Sequence, residues 1–215
     1  MAQRTALCFG DSNTHGTLAM RHAGDRQRLQ RDQRWPTVMA EALGAGWDVI
    51  AEGHPGRTSV FEGPIEGEHK SWLRALHALL ESHRPLDLAL IMLGTNDLKA
   101  RFGLSASDIA LGIQRLALEV CRSDSGPDGT APKVMLVAPV RVLEAGCLAD
   151  VFAGAENTST ALPGHLAQIA ASQDFGFTDT NSVASVDPVD GIHLNADSHA
   201  AIGAHVAKAV ADYMG

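Results

Sequence analysis

One serine near the N-terminus stands where a protein could use it as a nucleophile. Ser12 lies in the tetrapeptide Gly-Asp-Ser-Asn at residues 10–13, directly after the apolar run at residues 5–9. That run has the length and composition of a buried strand, and Asp, Ser and Asn favour turns and helix caps. The pattern predicts that Ser12 lies where a strand ends and a helix begins. The free backbone N–H groups of a helix start could stabilise an oxyanion on an attacked carbonyl.

A serine nucleophile needs a base, and the base needs an acid that orients it. Asp190 and His193 stand three residues apart near the other end of the chain. This spacing favours His193 as the base that takes the proton of Ser12 and Asp190 as the acid that holds the imidazole. Gly-Asp-Ser is also a common turn sequence, so the hypothesis depends on the rest of the chain.

Two further polar clusters follow strand-like runs. Residues 53–58 follow the run at 48–52, and residues 94–97 follow the apolar run at 88–93. The first cluster contains Gly56, which would let the backbone approach a substrate closely. The second contains Asn96, whose side-chain amide could donate a hydrogen bond to an oxyanion. Taken alone, the cluster with Gly56 is more typical of a simple Pro-Gly turn, and Asn96 could be an ordinary turn asparagine.

In this order the clusters resemble the SGNH (GDSL-type) hydrolases, and most closely their bacterial arylesterase and acyltransferase branch. The resemblance covers residues 5 to 213 and is carried by four blocks: Gly10-Asp11-Ser12, Gly56, Gly94-Thr95-Asn96-Asp97 and Asp190-Gly191-Ile192-His193. It implies a serine esterase with Ser12, His193 and Asp190 as the catalytic triad. It also implies an oxyanion hole formed by Ser12, Gly56 and Asn96.

The same resemblance implies that the substrate is a small-molecule ester. We expect no cofactor and no metal, since no spacing in the sequence resembles a zinc site. Related enzymes form ring-like oligomers and transfer acyl groups to alcohols or peroxide, so a homo-oligomer with some acyltransfer is expected. Residues 20–34 carry five arginines and two aspartates. Such a charged run is either a solvated loop or a contact with a neighbouring subunit.

The elements that must position these groups alternate along the chain. The patterns predict five strands, at residues 5–9, 48–51, 88–93, 133–138 and 175–178. They also predict helices that begin at Ser12 and near Asn195, and at residues 35–43, 68–83, 105–121 and 161–173. Residues 139–160 are expected to form an irregular wall beside the site.

This alternation predicts an α/β protein, a three-layer α/β/α sandwich around a five-stranded parallel sheet. The resemblance implies the flavodoxin-like fold of the SGNH hydrolases. Residues 1–215 are expected to form a single domain. In such sheets ligands bind beyond the carboxyl ends of the strands, where all four polar clusters are predicted to lie.

Composition narrows the choice of partners and compartment. The formal charge of −8 disfavours nucleic acid as a partner. The odd number of cysteines, three, with Cys8 inside a core strand, favours reduced thiols and a cytoplasmic location. No segment has the pattern of a signal peptide or of a membrane span. We therefore expect no membrane partner.

Several competing interpretations remain open at this point. His15 could line the pocket or be a partly exposed helix residue. A carbohydrate O-deacetylase is the main enzymatic alternative, although the chain has few aromatic side chains for stacking on sugars. Histidines recur at residues 193, 199 and 205, but a spacing of six does not place neighbours on one helix face. A non-catalytic phosphate or nucleotide site at residues 10–16 would lack the P-loop lysine and the dinucleotide glycine pattern.

Overall fold

A parallel sheet of five strands forms the middle layer of the protein. The structure is a computed structural model, and it describes residues 3–215. The strands are β1 Arg4–Gly10, β2 Trp47–Gly53, β3 Leu88–Met92, β4 Lys133–Ala138 and β5 Gly176–Asp179. They lie in the order β2-β1-β3-β4-β5, and every neighbouring pair is parallel. All five residues of β3 are buried, as expected for a strand that is covered on both faces.

Within residues 3–215, five α-helices lie between successive strands and a sixth follows the last strand. They are α1 Ser12–His15, α2 Trp35–Leu43, α3 Trp72–His83, α4 Ala106–Cys121, α5 Ala155–Gln173 and α6 Ala196–Met214. Local capping explains where several of them begin. Ser105 and Asp108 form a capping box at α4, and the Asn195 side chain accepts from the Ser198 N–H at α6. No helix within residues 3–215 has both the length and the apolar character needed to cross a membrane.

The two faces of the sheet carry separate cores. Alternate strand residues, such as Leu7 and Phe9, pack against α3, α4 and α5 on one face. Their neighbours, such as Ala6 and Cys8, pack against α2 and α6 on the other face. Side chains of a strand point alternately to opposite faces, so strands such as β1 and β3 contribute to both cores. The three-layer α/β/α sandwich predicted from the sequence is confirmed.

The order of the strands creates a crevice next to β1. The chain runs from β1 to β2 on one side and then crosses to β3 on the other side. The connections that leave β1 and β3 therefore diverge, and ligands bind at such switch points. Ser12 follows β1 and Asn96 follows β3, so the sheet topology brings the first and third polar clusters to this crevice.

Two helix starts differ from the sequence-based prediction by more than one residue. Helix α5 begins at Ala155, six residues before the predicted start, because tertiary contacts hold a first turn that lacks apolar periodicity. The Glu144 N–H donates to Glu156 Oε1 at 2.7 Å, and the Val142 N–H donates to Ser159 Oγ at 3.3 Å. The irregular segment therefore ends at Gly154.

The end of α1 and the start of α3, the second start that differs, also have local causes. The helix that begins at Ser12 is one turn long, because Gly16 adopts a left-handed conformation, with φ of 86°, and ends it. Residues 68–70 form a separate short 3-10 turn, and α3 begins only at Trp72. Ser71 is held extended by a parallel bridge to Thr58, and this bridge separates the two helical segments.

Candidate active site

The turn after β1 presents Ser12 at the carboxyl edge of the sheet. Gly10 is required there, because a Cβ at this position would lie 1.8 Å from Thr14 Oγ1. Asp11 caps the following turn, and its Oδ1 accepts from the Asn13 N–H at 2.9 Å. Ser12 is the first residue of α1 and is 4% exposed. The predicted strand–turn–helix setting of Ser12 is therefore present.

Asp190 and His193 form a close pair in the loop between β5 and α6. His193 Nδ1 lies 2.6 Å from Asp190 Oδ2, and Asp190 is fully buried. Because a carboxylate only accepts hydrogen bonds, Nδ1 carries the proton and Nε2 is left as the acceptor. The backbone N–H groups of Ile192 and His193 both donate to Asp190 Oδ1 at 3.0 Å. The carboxylate is thereby held in one orientation toward the ring.

The charge of Asp190 is stabilised in this setting. Burial alone would raise the pKa of Asp190, but the hydrogen bonds and positive charge of His193 outweigh it, and the net shift is downward. The Met20 N–H adds a further hydrogen bond, at 2.7 Å to Asp190 Oδ2. Asp190 therefore remains ionised and able to orient His193 over the physiological pH range.

Two contacts across the chain join the serine turn to the histidine loop. Asn13 Nδ2 donates to the Ile192 carbonyl at 3.1 Å, and Met20 follows the serine turn and binds Asp190. Ser12 and His193 consequently line the same cavity. The sequence reasoning missed the parts played by Asn13 and the Met20 N–H, because a backbone donor and a turn asparagine carry no distinctive sequence signal.

Gly56 and Asn96, the two other predicted oxyanion donors, line this cavity as well. Gly56 has a φ of 79°, a conformation that favours glycine. Asn96 Nδ2 lies 3.5 Å from Asp11 Oδ2, at the limit of a hydrogen bond. The loops that carry the two residues are tied together by Asp97, which accepts from the Ser59 N–H at 3.0 Å and from Ser59 Oγ at 2.5 Å.

Asp97 is a fully buried carboxylate, and its neighbour Asn96 lines the cavity. Burial raises its pKa to about 6, although the hydrogen bonds from Ser59 act in the opposite direction. The nearby charge of Asp11 raises it further. The link between the loops after β2 and β3 thus depends on Ser59 keeping both of its hydrogen bonds to Asp97.

The cavity has a volume of about 670 Å³ and combines apolar and charged walls. Leu148, Val151 and Phe152 supply apolar surface, so the segment after β4 lines the site as the sequence predicted. The arginine-rich segment also contributes, with Met20, Gly24, Asp25, Arg26 and Gln27. A charged group formed by Glu66, Lys70, Lys99 and Arg101 completes the lining; sequence reasoning did not single it out, because its members lie on two separate loops.

The other histidines occupy different surroundings. His15 lines the cavity, and its Nδ1 lies 3.0 Å from Thr17 Oγ1. Burial, with the positive charges of Arg28 and Arg34, lowers the pKa of His15 to about 4, so this ring is neutral. His199 is buried behind α2 and accepts from the Trp35 N–H at 3.1 Å, whereas His205 lies 2.8 Å from Thr178 Oγ1. His193, His199 and His205 therefore do not converge.

Comparison with known proteins places this site in a family. Residues 8–201 match the GDSL-like lipase/acylhydrolase family. The chain belongs to this family. The match spans the serine turn, both loops of the crevice and the Asp190–His193 pair, and family membership makes the chain a carboxylic ester hydrolase. A search of the curated proteins found no match.

Solved structures of the GDSL-like family resemble the chain over nearly its whole length. An aryl esterase from M. smegmatis is 36% identical, with a TM-score of 0.92, and the match covers 98% of this chain and 99% of the esterase. A carbohydrate acetylesterase from Sinorhizobium meliloti is 34% identical, with a TM-score of 0.93 and the same coverage. A GDSL-family protein from Veillonella parvula shares the fold at 12% identity and a TM-score of 0.65, covering 97% of both chains.

Proposed function

We propose that this GDSL-like hydrolase is a serine esterase that cleaves short-chain aryl or alkyl esters through an acyl-enzyme. One observation carries the proposal: the Asp190–His193 pair and Ser12 line one cavity at the switch point of the sheet. Similarity to the aryl esterase from M. smegmatis supports the choice of ester. The reaction uses no cofactor, and the substrate is a small molecule.

The mechanism follows from the roles that the geometry offers. Ser12 Oγ attacks the ester carbonyl while His193 Nε2 takes the proton of the Ser12 hydroxyl. Asp190 stabilises the imidazolium that results. The N–H groups of Ser12 and Gly56 and the amide of Asn96 stabilise the oxyanion. The C–O bond to the alcohol then breaks, and His193 returns the proton to the leaving oxygen. Water repeats these steps on the acyl-enzyme and releases the acid.

A panel of p-nitrophenyl esters with increasing acyl length, assayed beside acetylated sugars, tests this substrate class. We expect kcat/KM to be highest for the acetyl to butyryl esters and to fall with longer chains, as the proposed short-chain esterase requires. Efficient release of acetate from sugars together with poor turnover of the aryl esters would instead assign the enzyme to carbohydrates.

A carbohydrate O-deacetylase is the second candidate, because the acetylesterase from S. meliloti is as similar as the aryl esterase. Sugar-binding sites commonly stack a pyranose on an aromatic ring. Among the described residues that line the cavity, Phe152 is the only phenylalanine, tyrosine or tryptophan, and it is 2% exposed. This lining favours the simple aryl or alkyl ester.

Replacing Asn96 by alanine should lower kcat by roughly a hundred- to a thousand-fold and leave KM nearly unchanged. The Asn96 amide has a long bond of 3.5 Å to Asp11 in the free enzyme, so it is available to the oxyanion that forms in the transition state. Steady-state kinetics with p-nitrophenyl acetate measure both constants. A change confined to KM would make Asn96 a substrate-binding residue.

We further propose that the protein is a homo-oligomer and that assembly promotes acyltransfer over hydrolysis. The arginine-rich segment folds back on itself through a bridge between Thr17 and Arg28 and lines the cavity. Within this segment Arg26 and Arg31 are exposed. The chain as a whole is acidic, so acidic surface is available to meet them. A neighbouring subunit at this segment would limit the access of water to the acyl-enzyme.

Reversing Arg26 and Arg31 to glutamate should shift the protein to smaller species in sedimentation velocity. The ratio of benzyl-ester formation to hydrolysis, measured with a short-chain ester and benzyl alcohol, should fall with it. Arg115→Glu on α4 is the matched control, because it changes charge by the same amount per site at a distance from the segment. A monomeric wild type would contradict the assembly, and an unchanged ratio in the dissociated variant would contradict the coupling.

A further inference from the structure

The cavity carries a charge opposite to that of the whole chain. The formal charge of the protein is −8, yet four cationic side chains and two acidic ones, apart from the catalytic pair, line the cavity. The cations are Arg26, Lys70, Lys99 and Arg101, and the acids are Asp25 and Glu66. Asp25 is already paired with Arg21 outside the lining, at 3.0 Å. Glu66 is therefore the main counter-charge inside the cavity.

Glu66 balances only part of this positive charge. Lys99 Nζ lies 2.5 Å and Arg101 Nη2 lies 2.6 Å from the same oxygen, Glu66 Oε2. One carboxylate thus serves two cations, and Lys99 is 5% exposed. Burying a cation without a full counter-charge is costly. A bound anion would remove that cost.

Lys70 adds a third cation next to this pair. Its Nζ donates to the Pro55 carbonyl at 2.8 Å and lies 3.5 Å from His54 Nδ1. Burial, followed by the charges of Lys70 and Arg57, lowers the pKa of His54 to about 4. The pKa of Lys70 is also lowered, by burial and by the charges of Lys99 and Arg57, although Glu66 acts in the opposite direction. In both groups burial is the larger cause, and the neighbouring positive charges act in the same direction.

The cationic group lies beside the proposed oxyanion hole. A Cβ placed on Gly56 would be 2.9 Å from Glu66 Oε1 and 3.5 Å from Lys70 Nζ. Lys99 and Arg101 follow Asn96 on the next loop. The Ala100 N–H donates to the Val151 carbonyl at 2.9 Å, so the cationic loop adjoins the apolar wall. A ligand in the cavity can therefore contact apolar surface and cations at once.

We propose that the ester cleaved at Ser12 carries a negatively charged group, a carboxylate or a phosphate, that Lys70, Lys99 and Arg101 bind. This inference rests on the proposed esterase function. Charge-assisted hydrogen bonds are about twice as strong as neutral ones, and the burial of Lys99 protects its bond from solvent screening. The anion binds beside Glu66 and supplies the second negative charge that Lys99 and Arg101 lack.

Two matched substrate pairs test the proposal and identify which side of the ester carries the anion. On the acyl side, p-nitrophenyl hemiglutarate is compared with p-nitrophenyl valerate. On the alcohol side, 3-acetoxybenzoate is compared with its neutral methyl ester. In Arg101→Met, kcat/KM for the anionic ester of at least one pair should fall about tenfold, while the neutral partner changes less than about twofold. In Lys70→Met, the anionic ester of the same pair should lose about tenfold more than its neutral partner.

The neutral esters show whether a variant loses activity because a cation is missing or because the site is distorted. Lys70 also holds the Pro55 carbonyl, so a displaced Gly56 loop would slow both members of a pair equally. Lys208→Met, which removes a cation from α6 away from the cavity, is the matched control and should leave both rates unchanged. If the wild-type enzyme turns over the neutral esters and both variants lose activity equally on the two members of every pair, the proposal of an anionic substrate is overturned and the esterase function stands. Absence of turnover for all four esters would overturn the esterase function and this inference with it.

Discussion

Replacing Ser12 by alanine should lower kcat for p-nitrophenyl acetate by about a million-fold, the size of loss seen for serine nucleophiles elsewhere. The effect should be chemical, because the contacts that hold the turn do not use the Ser12 side chain. Asp11 caps the turn through the Asn13 N–H, and the Asn13 side chain binds Ile192. The Ser12 N–H, a proposed oxyanion donor, is retained in alanine, so the remaining activity would reflect oxyanion stabilisation and binding.

A serine-directed phosphonate gives an independent readout of the same prediction. It should label Ser12 in the wild-type protein and leave the alanine variant unlabelled, as measured by mass spectrometry of peptides. Ser107, an exposed serine on α4, is the control position: Ser107→Ala should keep wild-type labelling and kcat. Activity that persists in Ser12→Ala would remove Ser12 from the mechanism.

The His193→Ala variant should lose nearly as much kcat as Ser12→Ala, and Asp190→Ala should lose somewhat less. Members of a triad act as a unit, so loss of the base leaves the serine unactivated, whereas loss of the acid still leaves a misoriented base. Asp190 holds His193 Nδ1 at 2.6 Å and is itself held by three backbone N–H groups, those of Met20, Ile192 and His193. Steady-state kinetics with p-nitrophenyl acetate at neutral pH measure each loss.

The other histidines provide the comparison for this prediction. His77 is exposed on α3, and His77→Ala should retain wild-type kcat. His15 lines the cavity but is neutral and lies against Thr17, so His15→Ala should alter KM or acyl preference more than kcat. If His15→Ala lost activity to the extent expected of His193→Ala, the assignment of the base would be wrong.

Much of the candidate site was predictable because its chemistry is local in sequence. The apolar runs specified the five strands, and turn residues specified the polar loops at their carboxyl ends. Asp190 and His193 are three residues apart, a distance over which a loop can close a hydrogen bond without help from the rest of the chain. The capping box of Ser105 and Asp108 is local in the same sense. Consequently the fold class and the residues proposed for the triad could be named from the sequence.

The features that required the tertiary structure join residues far apart in the chain. Asn13 and Ile192 are separated by 179 positions, and Met20 and Asp190 by 170; pattern reasoning over short windows has no access to such pairs. The early start of α5 depends on contacts between Glu144 and Glu156 and not on apolar periodicity. The cationic group around Glu66 forms because the loops after β2 and β3 meet at the switch point. Sequence alone thus determined the strands and the local chemical groups, whereas the packing of the sheet decided which groups face one another and the charge of the cavity.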